Sequence, residues 1–217
     1  MILVPVKDLS RAKQRLAALL DQSTRTELAQ QMLLDVLETL ASWQTRPEVA
    51  LVTSDSFACD RARGFGFEVI PDSGNRGETD AIEMATQVCE SRGVDFTMVI
   101  PGDVPLIQVW ELENILQAAP DQGSVLAPAA DGRGTNAAFR RPAGLFALRF
   151  GNDSFKPHLA AARATGKPVV VLPLPGLALD IDTPADLRRL AETPGETRSQ
   201  RMARRLDLAD LPLAANE

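Results

Sequence analysis

Apolar positions along this chain keep two rhythms that take turns. Short β-rich runs, "MILVPV", "EVALVTSD", "FEVIPD", "FTMVIPGDVPL", "SVLAPAA" and "KPVVVLPL", are separated by longer stretches of helical period. The clearest helix lies in "STRTELAQQMLLDVLETLASW", where Leu28, Met32, Leu33, Val36, Leu37 and Leu40 form one stripe and Thr24 and Glu27 have capping-box spacing. "FACDRARGFG", "ETDAIEMATQVCESRG" (ending at Gly93), "WELENILQAA" and "SFKPHLAAARATG" predict further helices, and "LALDIDTPADLRRLAE" predicts a loop feeding a short one. "GTNAAFRRP" and "GLFALRFG" are less regular. Strand–helix alternation of this kind implies an α/β fold, a mostly parallel sheet with helices on both faces. One domain over residues 1–192 accounts for the pattern, with 193–217 as a charged tail or a docking helix.

Composition narrows the class. At 217 residues, with 45% hydrophobic and 24% charged positions, the chain has the balance of an ordinary globular protein. A net charge of −6 and a pI near 5.0 argue against general nucleic-acid binding. No apolar run approaches the roughly 18 residues of a membrane span, and the opening is too short for a signal-peptide core, so the cytoplasm is the expected compartment. Cys59 and Cys89 lack metal-type spacing and read as reduced thiols.

In open α/β sheets ligands bind beyond the carboxyl ends of the strands, and three such ends here carry unusual residues. After the first strand, "PVKDLSRAKQRL" gathers Lys7, Arg11, Lys13 and Arg15. They form either an anion site or a solvated charged face. Arg11 and Arg15 one helical turn apart would repel on such a face. In "VIPGDVPL", Asp103 sits in a turn stiffened by Pro101 and Pro105, as a ligand or as a plain turn former. In "ALDIDTPADL", Asp180 and Asp182 alternate along an extended segment, so only one of them can share a site with Asp103. Asp186 has the position of a first-turn helix residue. Cations at one strand end and hard oxygen donors at two others suit phosphoryl or nucleotidyl transfer assisted by Mg²⁺. Neither a Walker A motif nor a GxGxxG after the first strand is present.

With these motifs in hand, the chain resembles the 2-phospho-L-lactate and phosphoenolpyruvate guanylyltransferases of deazaflavin coenzyme (coenzyme F-420) biosynthesis. "PVKDLSRAKQRL", "PGDVPL", "GTNA", "FGNDSFKPH" and "DIDTPADL" carry the resemblance, in order, over nearly the whole chain. It implies a Rossmann-like nucleotidyltransferase fold, the GT-A-like fold of nucleotide-diphospho-sugar transferases. It also implies transfer of GMP from GTP to a phosphorylated three-carbon acid, with release of pyrophosphate. By that resemblance Lys7, Arg11, Lys13 and Arg15 handle the triphosphate. Asp103 and one of Asp180 and Asp182 hold Mg²⁺. Pro5, Val6, Thr53, Ser54, Gly77, Glu78, Thr79, Asp80, Pro101 and Gly102 line the nucleotide. Thr135, Asn136, Gly151 and Ser154 take the acceptor, with Gly134 admitting close backbone approach and Ser154 reading as a helix N-cap beside free N–H groups. His158, the single histidine, is a ligand or a packing residue.

"NRGETDAIEMA" departs from the family's "LN" pattern. Glu78 or Asp80 reads guanine there, accepting from its N1–H and N2 amino group, or the acidic residues and Thr79 simply cap a helix. The rival readings are a cytidylyl- or uridylyltransferase of the same fold and a non-catalytic nucleotide-binding subunit. Three acceptors suit the resemblance: 2-phospho-L-lactate, phosphoenolpyruvate and 3-phosphoglycerate. A homodimer and functional coupling to a downstream deazaflavin transferase are the partners it suggests.

Overall fold

The computed structural model describes residues 1–72, 74, 77–151 and 153–206. Among the described residues seven strands form one sheet: β1 (Ile2–Pro5), β2 (Val49–Val52), β3 (Glu68–Ile70), β4 (Thr97–Val99), β5 (Gly123–Pro128), β6 (Thr135–Arg141) and β7 (Val169–Val171), in the order β3-β2-β1-β4-β6-β5-β7. The α-helices are α1 (Gln22–Ser42), α2 (Ser56–Gly64), α3 (Glu78–Ser91), α4 (Val109–Ala118), α5 (Phe155–Ala164), α6 (Pro184–Glu192) and α7 (Arg198–Ala203). β1 pairs in parallel with β2 and β4, β2 with β3, and β5 with β7. β6 runs antiparallel to both of its neighbours, β4 and β5.

The period-two rule sorts the strand residues into two cores. Ile2, Val4, Met98, Val125 and Phe139 face one side, where α1, α2, α4 and α6 pack with Leu28, Ala58, Leu112 and Leu187. Leu3, Val99, Leu126 and Ala138 face the other, against Ile82 of α3 and Ala162 of α5. All six apolar residues of the α1 stripe are buried.

Two sequence expectations need correction. The N-cap of α1 is Asp21, whose carboxylate accepts from Thr24 N at 2.7 Å, so Thr24 lies inside the first turn and heads no capping box with Glu27. Asp21 holds the extended backbone that a cap requires, φ −65° and ψ 168°. "GTNAAFRRP", read as irregular, contains the longest strand, β6, buried through six of its seven positions. Enclosed on both faces, a strand loses the alternation by which it would be recognised.

Candidate functional site

β1 and β4 are neighbours at the point where the strand order reverses, with β2 and β3 extending the sheet on one side of β1 and β4 lying on the other. α1 follows β1 into one core and α3 precedes β4 from the other. The crevice beyond their carboxyl ends is therefore a topological switch point. A cavity of about 650 Å³ opens there, walled by Pro5, Val6 and Lys7 after β1, by Pro101, Gly102 and Asp103 after β4, and by Glu78 and Asp182. Gly102 keeps this corner open: a Cβ at that position would stand 3.3 Å from Leu33 Cδ1, and that side chain would have to give by a few tenths of an ångström.

The cation-bearing segment is built from two short 3-10 turns, Leu9–Arg11 and Gln14–Leu16. Asp8 caps the first, accepting from Ser10 N at 2.9 Å. Leu9 N donates to Asp55 Oδ2 at 3.1 Å, and Asp55 also caps α2 through Ala58 N. Leu9 and Leu16 are buried and pin the segment at both turns. Between the turns Lys13 takes the left-handed conformation, φ 55° and ψ 44°. That turns one cation inward: the Lys13 side chain is 7% exposed, against 86% for Arg11 and 60% for Arg15. Lys7 is exposed and lines the same cavity.

Lys13 Nζ donates to Asp103 Oδ2 at 2.6 Å and to Asp182 Oδ1 at 3.0 Å, and Arg15 Nη1 donates to Asp182 Oδ2 at 3.3 Å. Burial opposes the ammonium's charge, yet the two carboxylates outweigh it and hold Lys13 above its ordinary value. Burial likewise opposes the charge on Asp182, but Lys13 and then Arg15 bring its carboxyl below the usual range. Asp180 turns away, accepting from Asn136 Nδ2 at 3.0 Å. Burial raises its pKa, partly offset by the Asn136 bond, and the charges of Asp103 and Asp182 raise it further. Asp182 is thus the member of the pair that meets Asp103. Glu78 is pushed up to about 7, by burial and by the charge of Asp103, against the pull of Lys7 and Lys13.

The remaining assigned residues lie off the cavity wall. Thr53 is fully buried, its Oγ1 accepting from Asp55 N, and Ser54 Oγ donates to the Asp72 carbonyl. Gly77, at φ 138°, is the N-cap of α3. Thr79 Oγ1 accepts from Phe150 N at 2.9 Å, and Asp80 is exposed on the first turn of α3. Thr135, Asn136, Ser154 and His158 form a second, buried cluster, with Gly151 in the loop before α5. His158 Nε2 accepts from Arg149 N at 2.7 Å, so Nδ1 carries the proton toward Thr135 Oγ1, 2.9 Å away. Burial and the charge of Arg140 lower His158 to about 4, which keeps it neutral. Asn136 Nδ2 also donates to the Leu177 carbonyl at 2.8 Å.

Ser154 does precede α5, but its backbone is helical and its Oγ accepts from Thr135 N rather than capping the helix. The expected free N–H groups are also reduced: Phe155 N donates to the Arg133 carbonyl, and Pro157 has none. Asn152, in the same motif, lies outside the described residues. Asp8 and Asp55, which shape the cation loop, were not singled out by sequence. Each precedes its turn by one residue, the spacing of a cap, and that was the available signal.

Asp103 and Asp182 converge on a single cation, so their hard oxygens fit a divalent ion. No group of three or more His, Cys, Asp or Glu suited to a metal exists among the described residues. Two carboxylates leave the other positions to phosphate and water, which suits Mg²⁺.

A mostly parallel sheet with a crevice at this switch point is the architecture of the nucleotide-diphospho-sugar transferase fold. Solved structures share this architecture. A chain from Desulfovibrio desulfuricans G20 assigned to the nucleotide-diphospho-sugar transferases superposes with a TM-score of 0.74 at 20% identity, covering 94% of this chain and 93% of that one. A CMP:2-keto-3-deoxy-manno-octonic acid synthetase complexed with CTP gives a TM-score of 0.57 at 16% identity, covering 88% and 95%.

Residues 1–213 match the family model described as guanylyl transferase CofC like, and the chain belongs to that family. A phosphoenolpyruvate guanylyltransferase of Roseiflexus castenholzii is 37% identical over 202 residues, 93% of this chain and 92% of that protein. A 2-phospho-L-lactate guanylyltransferase of Methanothermobacter thermautotrophicus is 35% identical over 185 residues, 85% and 81% of the two chains.

Proposed function

We propose that the protein transfers GMP from GTP to a phosphorylated three-carbon acid and releases pyrophosphate, as a step of deazaflavin coenzyme synthesis. The observation that carries this reading is the cation segment facing Asp103 and Asp182 across one cavity, in a chain whose relatives are named guanylyltransferases. An acceptor oxygen attacks the α-phosphorus in line, forming the new phosphoanhydride as the bond to the β-phosphate oxygen breaks. The acceptor phosphate is already anionic near neutral pH and needs no general base. The work of the chain is alignment and charge neutralisation. Lys7, Arg11 and Arg15 meet the triphosphate, and Lys13 with Arg15 steadies the departing pyrophosphate. Asp103 and Asp182 would hold Mg²⁺, which would supply positive charge against the phosphates.

Thr135, Gly151 and Ser154 would receive the acceptor, with neutral His158 orienting the Thr135 hydroxyl. Glu78 is coupled to Lys7, Lys13, Asp103 and Asp182, so we assign it to the phosphate end of the cavity rather than to guanine. Among the described residues no helix is long and apolar enough to cross a membrane.

The test is pyrophosphate release with each of the four nucleoside triphosphates against 2-phospho-L-lactate, phosphoenolpyruvate and 3-phosphoglycerate, with Mg²⁺. The downstream deazaflavin transferase is added in parallel reactions. Release with GTP and one acceptor is expected. Release with CTP or UTP alone would replace the nucleotide, and silence throughout would return the chain to a binding role.

A further inference from the structure

Lys13 is the one member of the cation segment that faces inward, and it stands where a metal held by Asp103 and Asp182 would stand. Its Nζ lies 2.6 Å from Asp103 Oδ2 and 3.0 Å from Asp182 Oδ1. A divalent ion bonded to both oxygens at about 2.0–2.1 Å needs that same space, so the two cations exclude each other. Charge gives the same answer. Two carboxylates are balanced by Lys13 and by Arg15 on the outer oxygen of Asp182. If a divalent ion replaced the ammonium, the cluster would become positive, which suits an incoming triphosphate.

The backbone is arranged for such a change. Left-handed φ at a lysine costs roughly 1–2 kcal/mol, and strain of this kind collects at switch positions. Leu9 and Leu16 fix the segment on either side, so a swing of the flexible four-carbon stem can move the ammonium without displacing the loop.

We propose that the Lys13 ammonium is the resident cation of the Asp103–Asp182 pair in the nucleotide-free protein, and that it exchanges with a divalent cation and passes to the triphosphate. The final transfer to phosphate rests on the proposed function. The exchange itself does not.

Mn²⁺ titration of the nucleotide-free protein, followed by the electron paramagnetic resonance of free Mn²⁺, tests the exchange. Lys13→Gln removes the competing cation and should tighten Mn²⁺ binding at least tenfold. Arg15→Gln removes an equal charge from the same carboxylate without vacating the shared position, and should change it less than threefold. Equal effects of the two variants, or none in Lys13→Gln, would overturn the proposal.

Should Lys13→Gln fail to fold, the ¹⁵N-lysine ammonium signals of the unaltered protein decide the matter. One slowly exchanging signal should be present without metal, and its chemical shift should move when Mg²⁺ and a non-hydrolysable GTP analogue are added. An unmoved signal in the loaded protein would overturn the proposal. Because the Mn²⁺ titration contains no nucleotide, tighter binding in Lys13→Gln alongside silent GTP turnover would sink the proposed function and leave the exchange standing.

Discussion

Glu78 carries a third carboxyl group into a cavity already lined by Asp103 and Asp182, and that company sets its titration. Its folded pKa of about 7 lies above the ordinary 4.5. Between those values the folded chain binds a proton that the unfolded chain releases, so this group makes stability fall as pH rises. The slope is at most about 1.4 kcal/mol per pH unit. His158 acts with the opposite sign. Its folded value of about 4 lies below the ordinary 6.5, so its contribution is present above 6.5 and is lost as pH falls toward 4. The two slopes oppose each other in the wild type. Glu78→Gln should therefore be more stable than the wild type at pH 8 and gain little at pH 5, as read from urea midpoints. If Glu78 serves the phosphate end, the same variant lowers turnover without changing the ratio of GTP to ATP use. A changed ratio would return Glu78 to base recognition.

Among the elements, α7 shows how a short helix is held by a side chain remote in sequence. Its six residues are too few to be stable alone. Asp35, on α1 and 4% exposed, accepts from Arg198 N at 2.8 Å and from Ser199 N at 2.9 Å, satisfying two donors of the first turn. Arg198 also pairs with Glu38 at 2.9 Å. Asp35→Ala takes the acceptor from both donors, of which Ser199 N is buried, and should cost about 1–3 kcal/mol. Urea unfolding measures that loss, and trypsin should cut after Arg198 and Arg201 faster than in the wild type. Unchanged cleavage would mean that α7 is held by its apolar contacts alone. The sequence left this segment as either a tail or a docking helix, because "RSQRMARR" is too charged and too short to reveal its buried face. Residues 207–217 of that segment lie outside those described.

Across the whole molecule, what could be read from sequence follows the separation of the residues involved. Helices and parallel strands declare themselves within a dozen positions, and the α1 stripe and the β1–β4 region were legible for that reason. The direction of β6 was not, since strand orientation is decided by pairing with β4 and β5. The motifs of the cavity could be listed, but the bridge from Lys13 to residues 90 and 169 positions away belongs to the fold alone.

The same long-range assembly gives a last expectation. The molecule carries a net charge of −6, so its overall field repels a nucleotide, and attraction comes from a few local cations. Arg11 is almost fully exposed, while Lys13 is buried in ion pairs. At 0.1 M salt the Debye length is about 10 Å, so exposed cations lose much of their pull as salt rises and buried ones lose less. Mg²⁺ with GTP at a hundredfold excess over Kd should stabilise the fold by about 2.7 kcal/mol, or roughly 5–10 °C in Tm for a chain this long. At fixed ligand concentration that gain should shrink markedly between 50 and 500 mM salt, on the order of the counterion effects seen for other polyanions. In Arg11→Ala the gain should be smaller at low salt and also less salt-sensitive. If the Tm gain is the same at both salt concentrations, exposed cations do not hold the triphosphate, and the buried cluster around Lys13 must carry the binding by itself.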